Sequence, residues 1–211
     1  MESREIELYV EKHSSPESAL LNKIYRDSNL QMINPRMVSG HIQGLLLKMI
    51  SLMVKPLNIL EIGTYTGYSA ICLAQGLQKG GTLHTIEIND ELISMARGYF
   101  ESEGLGESII QHVGDACAII PAMNEKFDLI FIDGEKREYP QYYNMCIEKL
   151  QPGGYLIADN VLWNGKVVDP STFNEPATKA IIDFNQMVQA DSRTENVLLP
   201  IRDGLMLVRR L

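Results

Sequence analysis

The sequence has few cysteines and no long stretch of one charge. Its three cysteines, Cys72, Cys117 and Cys146, lie far apart, and no CxxC pair is present. This spacing argues against a thiolate metal site and is typical of reduced thiols in a cytoplasmic protein. The formal net charge of −8, without a cluster of Lys and Arg, argues against nucleic acid as the main partner.

Long apolar stretches are also missing. The most apolar stretch, residues 42–54, is interrupted by Gln43, Gly44, Lys48 and Ser51. It is too short and too polar to be expected to span a bilayer. The first residues are charged and lack an apolar signal core. We therefore expect a cytoplasmic location and no membrane partner.

The pattern along the chain changes from helices alone to alternating strands and helices. Residues 3–12, 16–30 and 37–54 have helical character, and Ser15-Pro16-Glu17 is a favourable helix start. Predicted strands cover residues 57–62, 82–88, 109–113, 127–132 and 155–158, and predicted helices cover 67–76, 90–103, 139–150 and about 175–190. Residues 152–154 are predicted to form a turn, and 160–174 a loop. Repeated strand–helix units predict a parallel sheet with helices on both faces.

The last part of the chain departs from this repeat. Two apolar runs, 196–201 and 205–210, are joined through Arg202-Asp203-Gly204, and Asp-Gly is a strong hairpin signal. The predicted fold class is α/β, with a doubly wound, Rossmann-like sheet of seven strands. The sheet is parallel except for one antiparallel strand from the C-terminal hairpin. We predict a single domain over residues 1–211, with a helical N-terminal cap (1–55) and an α/β core (56–211).

A glycine loop follows the first predicted strand. The segment Glu61-Ile-Gly-Thr-Tyr-Thr-Gly-Tyr-Ser69 opens a helix. Glycine here permits a tight turn and a close approach of a ligand to the backbone, and the helix start offers free N–H groups. Tyr65 stands where a GxGxxG motif has its second glycine, which disfavours an ordinary dinucleotide site. A tight turn without a ligand remains the alternative.

Two acidic residues follow the next two strands. Glu87 comes 20 residues after Gly67, where an acidic residue reaches ribose hydroxyls in nucleotide-binding α/β folds. Otherwise it is a solvated carboxylate at a strand end. Asp115 follows the third strand and lies either near an adenine amino group or at the N-cap of the next helix.

Three oxygen donors follow the fourth and fifth strands. Asp133 comes directly after the strand 127–132, and Asp159 and Asn160 follow the strand 155–158. In a doubly wound sheet these strands are neighbours, so the three side chains should converge at its carboxyl edge. Two carboxylates and one amide oxygen suit a hard cation such as Mg²⁺, Ca²⁺ or Mn²⁺. Alternatively, they are cap and turn residues.

Lys136 lies three residues after Asp133 and is the candidate base. A divalent cation beside it would disfavour its protonated form, because like charges repel. The neutral amine could then take a proton from a hydroxyl group whose pKa the cation lowers. The alternative is a surface lysine paired with Glu135 or Glu138.

Tryptophan and histidine are scarce. The only tryptophan, Trp163, follows Asn160 by three residues and could form a wall of the ligand site, or else pack in the core or an interface. The four histidines show no ligand spacing and are interpreted as structural: His13, His41, His84 and His112.

Together, four segments resemble one known family. They are Glu61–Ser69, Phe131-Ile-Asp-Gly-Glu-Lys136, Asp159-Asn-Val-Leu-Trp-Asn-Gly165 and Leu199-Pro-Ile-Arg-Asp-Gly204. They resemble the class I, cation-dependent O-methyltransferases, which include catechol and caffeoyl-CoA O-methyltransferases and many bacterial relatives. The resemblance covers about residues 30–211. The family pattern Asp-Ala-Asp-Lys is replaced here by Asp133-Gly134-Glu135-Lys136.

The resemblance implies a function. It implies an S-adenosylmethionine-dependent methyltransferase domain that uses a divalent cation and methylates one of two neighbouring hydroxyls on a small aromatic ring, as a homodimer. By motif, the implied metal ligands are Asp133, Asp159 and Asn160, the base is Lys136, and the cofactor positions are Glu61, Gly63, Ser69, Glu87 (ribose) and Asp115 (adenine side). Asp133 is also counted among the catalytic and cofactor-contacting residues.

Two other functions stay open. A nicotinamide-dependent oxidoreductase would share Glu87 and the sheet. Tyr65 in the glycine loop argues against it, and so does the acidic cluster of Asp133, Asp159 and Asn160. A non-catalytic S-adenosylmethionine-binding protein would share the whole fold, but Lys136 beside the complete cluster argues against it.

Overall fold

The computed structural model describes residues 4–211 of the chain. The α-helices in this part are α1 (Arg4–Lys12), α2 (Ala19–Gln31), α3 (His41–Val54), α4 (Tyr68–Ala74), α5 (Ile93–Ser102), α6 (Ala116–Ala122), α7 (Tyr139–Lys149) and α8 (Pro176–Ala190). The strands are β1 (Asn58–Ile62), β2 (Thr82–Glu87), β3 (Ile109–Val113), β4 (Phe127–Ile132), β5 (Leu150–Asp159), β6 (Thr194–Leu199) and β7 (Leu205–Arg210). The expectation about the charged first three residues lies outside the described part.

The strands form a single sheet in the order β3-β2-β1-β4-β5-β7-β6. Its pairs are parallel from β3 to β5, and β7 runs antiparallel to both β5 and β6. This confirms the predicted fold class. Ile62 pairs with Ile132, and Ile132 with Ala158, so β1, β4 and β5 end level with one another. The strand order reverses between β1 and β4, which is where open α/β sheets bind ligands.

Apolar residues are buried on both faces of the sheet. Leu60 and Ile130 pack on the side of α6, α7 and α8. Ile59 and Phe131 pack on the opposite side, with α3, α4 and α5. Each fully buried Ile, Leu or Phe stabilises the fold by about 1.5–3 kcal/mol, so the central strands are a rigid base for the residues that follow them.

Two predicted helix starts are wrong. The second helix begins at Ala19, not at Ser15-Pro16, because the Ser18 hydroxyl accepts the hydrogen bond from the Leu21 N–H at 3.2 Å and caps the helix there. The third helix begins at His41, not at residue 37. Gly40, with φ +77°, is the N-cap of this helix, and the preceding 3-10 turn already ends at Met37.

The strand boundaries differ at two places. Residues 152–154, expected as a turn, lie inside β5, where the pairing with β4 jumps from Phe127–Leu150 to Leu129–Tyr155. The turn residues are thus accommodated as a bulge with Gly153 at φ +81°. The sixth strand runs over 194–199 rather than 196–201 and ends before Pro200, which has no N–H to donate to a ladder. The expected loop 160–174 contains two 3-10 segments, Trp163–Val168 and Pro170–Thr172.

The segment Pro35–Val54 is apolar enough to be a candidate membrane span by length and composition, with a mean hydropathy of 1.4. The shorter stretch 42–54, considered in the sequence alone, was not expected to span a membrane. Core helices pass the same test, and α3 buries Leu47 and Ile50 in the cluster that packs on the sheet. Packing therefore accounts for the apolar residues on the inner face of α3, whereas Met49, Leu52 and Met53 on its outer face remain exposed.

Candidate active site

A cavity of about 840 Å³ lies at the carboxyl edge of the sheet. This volume is within the range of about 300–1,000 Å³ of small-molecule sites. Residues that follow five strands line it: Gly63, Thr64 and Tyr65 after β1, Glu87 and Ile88 at β2, Gly114 and Asp115 after β3, Asp133 to Glu138 after β4, and Asp159 and Asn160 at β5. Neighbouring strands lie about 4.8 Å apart, so the five strand ends span roughly 19 Å, enough for a nucleoside cofactor and an acceptor side by side.

Gly63 in the glycine loop is required by packing against the neighbouring strand end. Its φ is +100°, and a Cβ atom there would lie 2.4 Å from the backbone oxygen of Asp133. The predicted tight turn is confirmed. The space beside the glycine, however, is filled by protein backbone and does not stay open for a ligand. The turn therefore fixes the spacing between the glycine loop and the acidic cluster.

Glu87 is buried, with 8% of its surface exposed, so the alternative interpretation as a solvated carboxylate is wrong. It accepts hydrogen bonds from the backbone N–H of Tyr65 at 2.8 Å and of Asn89 at 2.9 Å. It therefore holds the glycine loop against β2 while it lines the cavity. The predicted ribose contact would use the lone pairs that these two bonds leave free.

Glu61 is fully buried and does not line the cavity. The Thr85 hydroxyl donates to its Oε2 at 2.6 Å, while its Oε1 has no hydrogen-bond partner. Burial raises the pKa of Glu61 to about 8, the hydroxyls of Ser69 and Thr85 oppose the shift, and Asp133 and Glu87 add to it. Ser69 itself lines the cavity, whereas Glu61, with its unpartnered Oε1, does not.

Asp115 caps α6, as one of its two interpretations predicted. Its Oδ1 accepts the Cys117 N–H at 2.8 Å. It also lines the cavity, so the cap does not exclude the adenine-side contact. The ligand atoms of Asp115, Cys117 and Glu138 lie within 4.8 Å of one another. Of these three residues, Asp115 is exposed and Cys117 and Glu138 are partly buried.

Asp133, Asp159 and Asn160 come together at the other end of the cavity, as predicted from the strand order. Burial raises the pKa of Asp133 to about 6, the Lys136 ammonium group opposes the shift, and the Asp159 carboxylate adds to it. Asn160 has φ +58°, a conformation that Asn tolerates better than most residues. Two carboxylates that repel each other beside an amide oxygen fit a hard divalent cation, which would offset their charge.

Lys136 belongs to this cluster and is not a surface residue. Only 12% of its side chain is exposed, and its Nζ donates to Asp133 Oδ1 at 2.7 Å and to the Tyr139 hydroxyl at 2.9 Å. The Tyr139 hydroxyl donates in turn to the backbone oxygen of Asp159 at 2.9 Å. The alternative pairing of Lys136 is wrong, because Glu135 pairs with Arg137 and Glu138 accepts from Tyr142.

The pKa of Lys136 is raised beside Tyr139 and Asp133, and the lowering expected beside a bound cation stays a prediction. Burial alone would lower it, but Tyr139 and Asp133 raise the pKa above its usual value. The expected lowering assumed a cation as nearest neighbour, whereas a carboxylate lies there in this arrangement. Lys136 is therefore protonated here and must lose its proton before it can act as a base.

Gln43 contacts the acidic cluster and was not predicted, and neither was Arg202, which contacts Gln43. Gln43 of α3 donates from Nε2 to Asp159 Oδ2 at 2.6 Å, and Arg202 donates from Nη1 to Gln43 Oε1 at 2.8 Å. The sequence does contain an indication of this role, because a polar Gln43 in the first turn of an apolar helix suggests that its side chain has a polar partner. Trp163 lines the cavity and also packs against the core, so both of its interpretations hold.

The sheet order, the antiparallel seventh strand and the cavity at the switch point define an enzyme of the α/β methyltransferase class. Within that class, the O-methyltransferase family matches residues 11–211, and the chain belongs to this family.

Individual relatives agree with this assignment. The chain is 34% identical over 161 residues to a catechol O-methyltransferase of Niastella koreensis, covering 74% of this chain and 72% of the relative. It is 32% identical over 182 residues to a caffeoyl-CoA O-methyltransferase of Petroselinum crispum, covering 80% and 75%.

Solved structures give the same result. The O-methyltransferase from Bacillus cereus in complex with SAH superposes with a TM-score of 0.91 at 28% identity, covering 98% of this chain and 97% of that chain. An O-methyltransferase from Streptomyces achromogenes, involved in tomaymycin synthesis and in complex with SAM, has a TM-score of 0.90 at 26% identity, covering 98% and 96%.

Proposed function

We propose that the chain is an S-adenosylmethionine-dependent and divalent-cation-dependent O-methyltransferase that acts on a small aromatic vicinal diol. The observation that carries the proposal is the position of Asp133, Asp159, Asn160 and Lys136 at one end of a cavity that extends along the strand ends to Glu87. A donor bound along the glycine loop would place its reactive group next to an acceptor held at the acidic cluster.

The cofactor half of the proposal rests on the loop after β1 and on the relatives solved with SAM and SAH. Ser69 and the loop N–H groups would bind the methionine portion, with Glu61 as the carboxyl group next to Ser69. Glu87 would bind the ribose hydroxyls, and Asp115 would lie on the adenine side. S-adenosylmethionine supplies an electrophilic methyl group when it is bound.

The acceptor half rests on the donor set of the acidic cluster. When bound to Asp133, Asp159 and Asn160, a divalent cation would lower the pKa of a diol hydroxyl and favour the neutral form of Lys136. Lys136 would accept the hydroxyl proton at Nζ, and Tyr139 would hold the lysine in place through its hydrogen bond. Trp163 would form a wall for the aromatic ring. The contribution of these residues is mostly orientation and charge stabilisation.

We further propose that the chain acts as one domain in the cytoplasm, with residues 1–55 as a cap on the core. The described part of the cap is attached by polar contacts: Ser28 donates to Thr66 in the glycine loop at 3.1 Å, and Tyr99 of α5 donates to Asp27 at 2.8 Å. These contacts favour a cap that remains on the core during turnover.

A panel of small catechols, with and without a chelator, tests the proposal. We expect methylation of at least one catechol with S-adenosylmethionine, loss of activity on chelation and recovery with Mg²⁺. S-adenosylmethionine should bind in the micromolar range or tighter, and NADH should not bind. Full activity in the chelator would refute the cation role. Tight NADH binding without S-adenosylmethionine binding would favour the oxidoreductase.

The variant Lys136→Ala distinguishes a catalytic O-methyltransferase from a non-catalytic S-adenosylmethionine-binding protein of the same fold. Loss of the base should lower turnover by roughly 10²–10⁴-fold, while the affinity for S-adenosylmethionine changes little. Lys179→Ala is the matched control, because Lys179 is an exposed lysine of α8 that pairs only with Asp183. A Lys136→Ala variant with unchanged turnover would remove Lys136 as the base.

A further inference from the structure

Asp159 is connected to two distant elements through one buried side chain. Gln43 lies in the first turn of α3 with 1% of its surface exposed, and its amide nitrogen is 2.6 Å from Asp159 Oδ2. Its amide oxygen is 2.8 Å from Nη1 of Arg202, in the turn between β6 and β7. The chain Arg202–Gln43–Asp159 therefore joins the start of α3, the end of β5 and the C-terminal hairpin at one carboxylate.

We propose that Gln43 and Arg202 are positioning residues that hold the Asp159 carboxylate for the divalent cation and thereby set the cation affinity. The inference rests on the proposed function, in which Asp159 is a metal ligand. It concerns how this ligand is oriented, since neither Gln43 nor Arg202 would contact the cation.

The orientation of the Gln43 amide is dictated by its two partners. A guanidinium group can only donate hydrogen bonds, so the oxygen of Gln43 must face Arg202. The NH₂ group must then face Asp159, where a carboxylate oxygen accepts. Without Arg202, the Gln43 oxygen would lose its donor, and the amide would be held only by its contact with Asp159. Arg202 therefore contributes to the orientation of Asp159 through the orientation of Gln43.

The Asp159 side chain is held at both oxygens. Oδ2 accepts from Gln43, and Oδ1 accepts from the backbone N–H of Asn160 at 2.7 Å. Asp159 is 4% exposed, so water has little access to replace a lost donor. Each carboxylate oxygen keeps a further lone pair. Two fixed donors thus set the plane of the carboxylate and leave acceptor capacity for a cation.

Arg202 has a backbone conformation that its residue type does not favour. Its φ is +52°, in the left-handed region where glycine or asparagine is usual. The turn itself would form more easily with glycine. An unfavourable backbone conformation at a cavity-lining residue points to a role for its side chain, and its hydrogen bond to Gln43 is such a role.

Two variants test the proposal by Mn²⁺ titration of the full chain, followed by calorimetry or electron paramagnetic resonance. Gln43→Met keeps the length of the side chain and removes both hydrogen bonds. Because loss of a partner that orients a metal ligand typically weakens metal binding about 10–100-fold, we expect its Mn²⁺ dissociation constant to rise about 10-fold or more. S-adenosylmethionine affinity should stay within about twofold. Gln78→Met, in an exposed loop, is the control and should leave Mn²⁺ binding unchanged.

Arg202→Gly keeps the proposal falsifiable if Gln43→Met folds poorly. Glycine relieves the φ of +52°, which offsets part of the cost of leaving the buried Gln43 oxygen without a donor, so the melting temperature should change little. The Mn²⁺ dissociation constant should nevertheless rise severalfold. A purely structural role would move stability and metal affinity together. Unchanged Mn²⁺ affinity in both folded variants would overturn the proposal.

Asp159→Ala distinguishes this result from a failure of the proposed function, because asparagine would keep a ligand oxygen. Mn²⁺ binding whose affinity is unchanged in Asp159→Ala belongs elsewhere, for example to the group Asp115, Cys117 and Glu138, and is subtracted. If the unaltered chain has no Mn²⁺ binding that depends on Asp159, the cation requirement fails, and the positioning role fails with it. If that binding exists but does not respond to Gln43→Met or Arg202→Gly, only the positioning role fails.

Discussion

Glu61 shows at the scale of one residue how burial makes stability depend on pH. Its pKa is raised to about 8 by burial from a usual value of 4.5. Between these two values the folded chain binds a proton that the unfolded chain has released. This contribution to the free energy of unfolding is therefore fully present below pH 4.5 and is lost as the pH rises to 8.

We therefore predict that the melting temperature of the ligand-free protein falls between pH 7 and pH 8 and that Glu61→Gln reduces this fall. Asp133 and two histidines act at lower pH: burial raises the pKa of Asp133 to about 6 and lowers the pKa values of His84 and His112 below 6.5. The shifted cysteines act above the interval, since burial raises the pKa of Cys117 from 9.0 to about 11. Thermal melts of both proteins across this interval measure the effect. Identical slopes for the two proteins would contradict the raised pKa.

The sequence predicted the residues of the acidic cluster because fold class alone brings them together. Asp133 and Asp159 follow strands that are neighbours in any sheet of this order, so their proximity needs no knowledge of side-chain packing. Gln43 and Tyr139 were not predicted, because their contacts depend on how α3 and α7 lie on the sheet. The pKa of Lys136 was also not predictable, since it depends on which charge is nearest.

At the scale of elements, α3 and α4 approach each other closely. A Cβ atom on Gly44 would lie 2.5 Å from Cε1 of Tyr68 and 2.9 Å from Sγ of Cys72. Gly44 therefore allows the contact that places Gln43 over the end of β5. The position of α3, and with it the position of Gln43, therefore depends on the absence of a side chain at residue 44.

We predict that Gly44→Ala destabilises the chain by about 1–3 kcal/mol, because an added methyl group overpacks this contact. Gly98→Ala is the matched control. Gly98 lies in α5 with no atom within 4 Å of the added Cβ, so alanine there should stabilise by about 0.5–1 kcal/mol. Urea unfolding of both variants gives the two values, and equal effects of the same sign would refute the packing argument.

The types and order of the elements were predictable, but some of their ends were not. Periodicity identifies the seven strands, since each is a short apolar segment next to turn residues. The start of α2 depends on whether Ser15 or Ser18 makes the capping bond, and both serines precede a helical pattern. The turn residues 152–154 remain inside β5 because the pairing between β4 and β5 continues on both sides of them and accommodates them as a bulge.

At the scale of the whole molecule, apolar side chains on the outer face of α3 remain exposed. Met49, Leu52 and Met53 expose 55%, 44% and 73% of their surfaces. Residues at this spacing share one face of a helix, and exposed apolar patches mark association surfaces. This face supports the predicted homodimer.

We predict that the protein sediments at twice the 23.7 kDa mass of the chain and that the double variant Leu52→Glu, Met53→Glu sediments as a monomer. Two buried carboxylates would oppose association, because their desolvation is unfavourable. Val113→Glu, at an exposed apolar position of β3, is the control and should remain dimeric. A monomeric unaltered protein would contradict the prediction.

The position of β7 has a consequence for the order of assembly. It follows all the other strands in the sequence but lies between β5 and β6 in the sheet. During synthesis, the edge of β5 that faces β7 therefore stays unpaired until β7 has been made. Until then β6 also has no neighbouring strand with which to pair. Open strand edges invite pairing with other chains. The end of β5 bears Asp159, so the part of the molecule that completes the cation site is also the part most exposed to misassembly while the chain is being made.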